Sequence, residues 1–203
     1  MALQFDRVLF EAVGRQLDAK GVVVKTGTLV DATVLPSAGI KHDEAMWAGH
    51  RRRKPVHGYK AHVAPDESGG IIRAVEVTAA NVHDGRMLEA MFPEAPDTTY
   101  ADMGYDSAAS CRAVCKAGGV PMIAQRGAWG AEGGAAMARL RDHNDAVARV
   151  RCRVEKVFGP WKRSYGLRRM RWLELAKAGL QVRLAAIAYN LRRFVGLLGT
   201  LPA

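Results

Sequence analysis

Arg151-Cys-Arg-Val-Glu155-Lys-Val-Phe-Gly-Pro-Trp-Lys162-Arg-Ser-Tyr-Gly-Leu-Arg-Arg-Met-Arg171 sets one acid, Glu155, among eight basic residues. On a helix, Arg151, Glu155 and Lys162 fall at i, i+4 and i+11 and so share one face. Taken alone, the stretch also reads as a solvated basic helix with one internal ion pair. A carboxylate inside so much positive charge equally suits a place where a metal ion meets a polyanion. Two aspartates upstream favour that second reading.

Lys25-Thr-Gly-Thr-Leu-Val-Asp31-Ala-Thr-Val-Leu35 has the pattern of a strand that is apolar on both faces and therefore central in a sheet. Asp31 interrupts it. A buried carboxylate without a partner costs several kcal/mol, so Asp31 requires a metal, a cation or a strand-end position. Thr98-Thr-Tyr-Ala-Asp102-Met-Gly-Tyr105 is a second short strand ending in an acid. Two strand acids and one helix acid are the donors that two divalent ions need to clamp an in-line phosphoryl transfer. The ions would stand about 3.5–4 Å apart, one activating the attacking oxygen and one stabilising the leaving oxygen. Mg²⁺, or Mn²⁺, is the expected ion, because carboxylate oxygens with water suffice and no His or Cys is required.

The net charge of +10 is concentrated in one part of the chain. Residues 151–203 carry 12 Lys and Arg against 2 Asp and Glu, while the first 150 residues carry 18 of each and balance. Such a basic quarter is the footprint of a nucleic-acid-facing surface, to which Arg163, Arg168 and Arg169 also belong. A basic tail serving solubility is the plainer alternative. The start of the chain lacks a basic n-region and an apolar h-region, and no apolar run is long enough to span a bilayer. Three cysteines without metal-ligand spacing suit a reducing cytosol, so a cytoplasmic, nucleoid-associated location is expected.

The remaining segments suggest an α/β domain. Residues 3–19 form an amphipathic helix, neutral in charge once Lys20 is included, and 36–56 a loop with a basic run at Arg51-Arg-Arg-Lys-Pro55. His57–Ala64 and Ile71–Thr78 make a hairpin, in which Lys60 and His62 mark a face that is wet or lines a cleft. A helix is expected around 85–92 with Asp84 as N-cap, and another from Asp106 to Ala117. His57, His62 and His83 make no zinc pattern. Val120–Ala124 is a short strand, and Gly127–Gly134 is a glycine-rich loop without the Lys-Ser/Thr of a phosphate loop. A long helix should run from about Ala135 toward Phe158, kinked or ended by Pro160. The last helix, about 172–198, carries Leu180, Leu184, Ile187, Leu191, Val195 and Leu198 as a stripe expected to pack on the sheet or a partner chain.

At these residues the chain resembles the DDE transposases of bacterial insertion sequences, in the branch typified by insertion sequences 4 and 5. The matching segments are Gly27-Thr-Leu-Val-Asp31-Ala-Thr, His57-Gly-Tyr-Lys-Ala-His-Val, Val77-Thr-Ala-Ala-Asn-Val-His-Asp84, Tyr100-Ala-Asp102-Met-Gly-Tyr105 and Arg151-x3-Glu155-x6-Lys162. The last follows that branch's Tyr-x2-Arg-x3-Glu-x6-Lys signature except that Ala148 stands where the Tyr falls. The resemblance implies an RNase H-like mixed sheet flanked by helices, with Asp31, Asp102 and Glu155 binding two Mg²⁺ or Mn²⁺ ions. It implies that Arg151 and Lys162 contact phosphates of the element's terminal inverted repeats in double-stranded DNA, within a homodimer assembled on that DNA and with no membrane partner. The family's β-insertion before the Glu helix has no room here.

The expected organisation is an N-terminal helix over 1–20, the remnant of a longer region, a catalytic domain over 21–171 and a C-terminal helix over 172–203. The expected activity is metal-dependent DNA cleavage and strand transfer at element ends. The alternative is a truncated, non-catalytic DNA-binding remnant that inhibits full-length transposase. No groove-reading helix is evident before Asp31, so cleavage is expected to show little preference for particular ends.

Overall fold

The computed structural model describes residues 5–21, 27–40, 43–50, 53–92, 96–127 and 134–199. Arg51 and Arg52 of the basic run, and most of the glycine-rich loop, lie outside the described residues.

Six strands build the sheet: β1 (Thr28–Pro36), β2 (Met46–His50), β3 (Arg53–Pro65), β4 (Ile72–Ala79), β5 (Thr98–Ala101) and β6 (Val120–Ile123). β3 is antiparallel to β1 along one edge, while β2 and then β4 occupy its other edge. β1, β5 and β6 run parallel, giving the order β2-β3-β1-β5-β6 with β4 on β3. β1 is therefore central, as its two-sided apolar pattern predicts. Among the described residues five α-helices flank the sheet: α1 (Phe5–Ala19), α2 (Ala108–Lys116), α3 (Gly134–Arg151), α4 (Glu155–Arg163) and α5 (Leu175–Leu198). This mixed, helix-flanked sheet matches the RNase H-like expectation.

Each face of the sheet has its own core. Leu35, Tyr59, Ala61 and Val63 meet Phe10 of α1, Val157, Phe158 and Trp161 of α4, and Val182 and Ala186 of α5. On the other face Val30, Ala64 and Ala101 meet Leu88, Met91, Tyr105 and Val114. Charged pairs tie α1 to this body: Asp6 to Arg183 of α5, Arg7 to Glu76 of β4, and Asp18 to Arg73 of β4.

The structure corrects several expectations. The segment read as a loop over 36–56 contains β2 and the start of β3. Met46-Trp-Ala-Gly-His has no clean alternation, and pairing with β3 is what makes it a strand. The helix expected around 85–92 is two 3-10 turns, Asp84–Met87 and Glu89–Met91, capped by His83, whose Nδ1 accepts from Gly85 N at 3.2 Å. The helix expected from Asp106 begins at Ala108, with Ser107 as its N-cap. The long helix breaks at a 3-10 turn, Cys152–Val154, upstream of Pro160, which α4 accommodates.

His62 lies on neither a wet face nor a cleft. It is fully buried, with Nε2 3.0 Å from Thr78 Oγ1. The leucine stripe of α5 does not pack on the sheet: Leu184, Leu191, Val195 and Leu198 are exposed, although Ile187 is buried. The buried side is Ala178, Val182, Ala185, Ala186, Tyr189 and Asn190, whose small residues let the helix lie close to β4. Asn190 locks that docking, accepting from Ile72 N at 2.8 Å and donating to Ile72 O at 2.9 Å.

Candidate active site

The last parallel pair between β1 and β5 is Val30 with Ala101. Asp31 and Asp102 are the next residues on the two strands, so both acids emerge at one end of the parallel pairing. Neighbouring strands stand about 4.8 Å apart. Asp31 lies opposite Val63 and Thr33 opposite Ala61, which turns both toward the face that α4 covers.

The row Arg151, Glu155 and Lys162 meets this strand. Arg151 Nη1 donates to Asp31 Oδ2 at 2.6 Å, and Lys162 Nζ donates to Thr33 Oγ1 at 2.8 Å. Glu155 lies between them in sequence as the exposed first residue of α4. The shared helical face survives the 3-10 break because both ends of the row reach β1.

Asp31 is largely buried, and this pushes its pKa up from 3.8 to about 6. Burial is the largest cause; the Arg151 guanidinium and the Ala32 N–H, 2.8 Å from Oδ1, act in the opposite direction. The charges of Asp102 and Glu155 raise it further, so the three acids share one electrostatic neighbourhood. Asp31 has the cation that its burial demands, and that cation is Arg151.

Asp102 turns back to accept from Gly104 N at 2.8 Å. A Cβ on Gly104 would stand 2.8 Å from Asp102 Oδ1 and 3.5 Å from Asp84 Oδ2, so glycine is what allows both carboxylates to approach this turn. Asp84 was expected as a helix cap. It instead pairs with Lys60 Nζ at 2.8 Å, and that amine also donates to Val82 O at 2.7 Å. Asp84 is thus an acid beside the site rather than a cap; the sequence signal for it was Lys60 alternating with apolar Tyr59 and Ala61. Tyr105 Oη is buried without a hydrogen-bond partner among the described residues. Burial and the charges of Asp84, Asp31 and Asp102 raise its pKa, so it stays protonated.

The other predicted basic residues divide. Arg163 is exposed without a hydrogen bond among the described residues, whereas Arg168 Nε donates to Lys162 O at 3.1 Å. Arg169 is a strut: Nε reaches Ser37 O at 2.9 Å and Nη2 reaches Ala38 O at 2.6 Å.

The donor chemistry fits a hard divalent cation. Asp31, Asp102 and Glu155 offer only oxygen, and the raised pKa of Asp31 means one guanidinium leaves its charge under-compensated. The carboxylates are not drawn into a coordination shell: among the described residues, no three His, Cys, Asp or Glu side chains are grouped to hold an ion.

The family model described as "Transposase DDE domain" matches residues 24–191, a span containing all three acids and both members of the Arg151/Lys162 pair. No solved structure matches the chain. No helix among the described residues is long and apolar enough to cross a membrane.

Proposed function

We propose that this chain, which belongs to the DDE transposase family, cleaves and transfers DNA strands at the ends of an insertion element, with Asp31, Asp102 and Glu155 as its catalytic carboxylates. The observation that carries this reading is the Val30–Ala101 register, with Asp31 and Asp102 following at the end of that parallel pairing and the Glu155 helix anchored to β1 by Lys162. Bound divalent ions, Mg²⁺ or Mn²⁺, would supply charge neutralisation at the attacking and leaving oxygens of the phosphodiester.

The chain's own groups prepare that chemistry. Arg151 favours the ionised form of Asp31, the only form that can ligate a cation. Its planar guanidinium is also suited to grip a phosphate through paired N–H donors. Lys162 holds a compact positive charge two residues along β1 from Asp31, within reach of the same strand of DNA. Lys60 tethers Asp84 beside Asp102, limiting where that carboxylate can move. Tyr105 adds a neutral, protonated hydroxyl. A homodimer on the terminal inverted repeats is the assembly that suits two ends cut together.

The test is cleavage of duplex carrying the element's ends, with Mg²⁺ or Mn²⁺, by the chain and by Asp31→Asn, Asp102→Asn and Glu155→Gln. Loss of nicking in all three variants, with DNA affinity retained, supports the assignment. Undiminished nicking in any one removes that residue from the set. If the unaltered chain binds ends but never cuts them, it is the non-catalytic competitor of full-length transposase.

A further inference from the structure

Helix α4 has a second row of cations about 100° from the first. Lys156 and Arg163 repeat the spacing of Glu155 and Lys162, one residue later, and therefore point to a different flank. That flank is one wall of a cavity of about 370 Å³. The β3–β4 turn, at Asp66 and Glu67, and the end of α5, at Arg192 and Arg193, form its other walls.

Its charges are unequally occupied. Asp66 is 2% exposed and already accepts from Gly70 N at 3.2 Å and Ile71 N at 2.9 Å. Glu67 pairs with Arg153 at 3.0 Å, and Arg193 donates to Gly69 O at 2.6 Å. Lys156, Arg163 and Arg192 remain, with no hydrogen bond or ion pair among the described residues. Three unpaired like charges around one concavity repel each other and do nothing for the fold. Asp66 and Glu67 are already occupied, so the cleft keeps a net positive charge, and its low-dielectric walls, here Leu29, Pro65, Val157 and Pro160, concentrate that field on an anion.

We propose that this cavity is a second DNA-backbone site, in which Lys156, Arg163 and Arg192 receive a phosphodiester distinct from the one met by Lys162. The inference rests on the nucleic-acid reading above. Two rows 100° apart on a helix about 10–12 Å across stand roughly 8–9 Å apart. Successive phosphates of one strand advance roughly 3.4 Å along the duplex axis and also rotate about it, so a gap of that size lies between near-neighbour phosphates. One continuous DNA segment can therefore reach both rows, with α4 as the ridge between them.

The experiment measures binding of a fluorescent duplex by anisotropy in EDTA, over a series of KCl concentrations. It compares the full chain with Lys156→Gln/Arg192→Gln, with Lys162→Gln, and with Arg112→Gln/Lys116→Gln, which removes equal charge from α2. Each lost phosphate contact should lower the slope of log K against log salt by about 0.9. The cavity double variant should therefore lose about two units and the α2 variant almost none. Equal losses in the two double variants, or an unchanged slope in the cavity variant while Lys162→Gln loses its unit, would overturn the cavity site but leave the nucleic-acid reading standing. No change in any variant would remove both. Lys156→Gln alone, an exposed single change, should lose about one unit and guards against a folding defect in the double variant.

Discussion

The Arg151 guanidinium stands 2.6 Å from the Asp31 carboxylate, joining the end of α3 to the central strand across 120 residues of sequence. This contact links folding to chemistry: it fixes the end of α3 just before the turn that leads into Glu155, and it partly neutralises the acid that most needs a cation. Because the Asp31 pKa remains raised despite Arg151, a second positive charge at this position is electrostatically favoured.

The first prediction concerns that residual cost. Asp31 has a folded pKa near 6 against 3.8 unfolded, so its contribution to stability is fully present below pH 3.8 and is lost as pH rises through 6. The stability of Asp31→Asn relative to the unaltered chain should therefore rise by about 2.5 kcal/mol between pH 4 and pH 7 in EDTA. Urea unfolding at four pH values measures it, and a pH-independent difference would contradict the buried-charge account.

His62 should give the opposite slope. Burial lowers its pKa from 6.5 to about 4, outweighing the charge of Asp84, which raises it; Lys60 lowers it further. A depressed histidine supports the fold above pH 6.5, and that support is lost as pH falls toward 4. His62→Gln should be destabilised at pH 7.5, and its deficit should shrink by about 3 kcal/mol by pH 4. A deficit that stays constant on acidification would mean that His62 is not held neutral.

Gly104→Ala should impair catalysis rather than folding or binding. The new Cβ would stand 2.8 Å from Asp102 Oδ1, closer than real contacts allow, so the carboxylate must move. Cleavage is expected to fall at least about tenfold, roughly 1.4 kcal/mol of barrier, with DNA affinity within about twofold. An equal loss in binding would point to a wider disturbance.

Trp161 anchors α4. It is fully buried, with its ring 6.1 Å from Phe158 at an edge-to-face angle of 64°. Trp161→Ala should destabilise by about 3–5 kcal/mol. Because Lys162 is its neighbour and Glu155 lies on the same short helix, the variant should also lose cleavage at temperatures where it remains folded. Thermal unfolding and a single-temperature nicking assay separate the two effects.

Much of this protein was determined locally. The apolar run around Asp31, the turn after Asp102 and the basic stretch around Glu155 are each readable over a few residues, and their order points to the fold. The Arg151/Glu155/Lys162 row was legible because helical periodicity is a local property, and the 3-10 turn between Arg151 and Glu155 leaves both ends of the row on β1. Tertiary structure decided which groups these segments would meet. Arg151 became the partner of Asp31, and Asp84 left its expected cap to pair with Lys60, because the nearest opposite charge in space outweighs the nearest in sequence when both are partly buried. It also chose the buried face of α5. Large leucines announce a stripe in sequence, but close approach to β4 selected the alanines, and the leucines were left in water. β2 exists because β3 extends beyond β4 and offers that edge, a vacancy that no pattern within Met46–His50 could reveal.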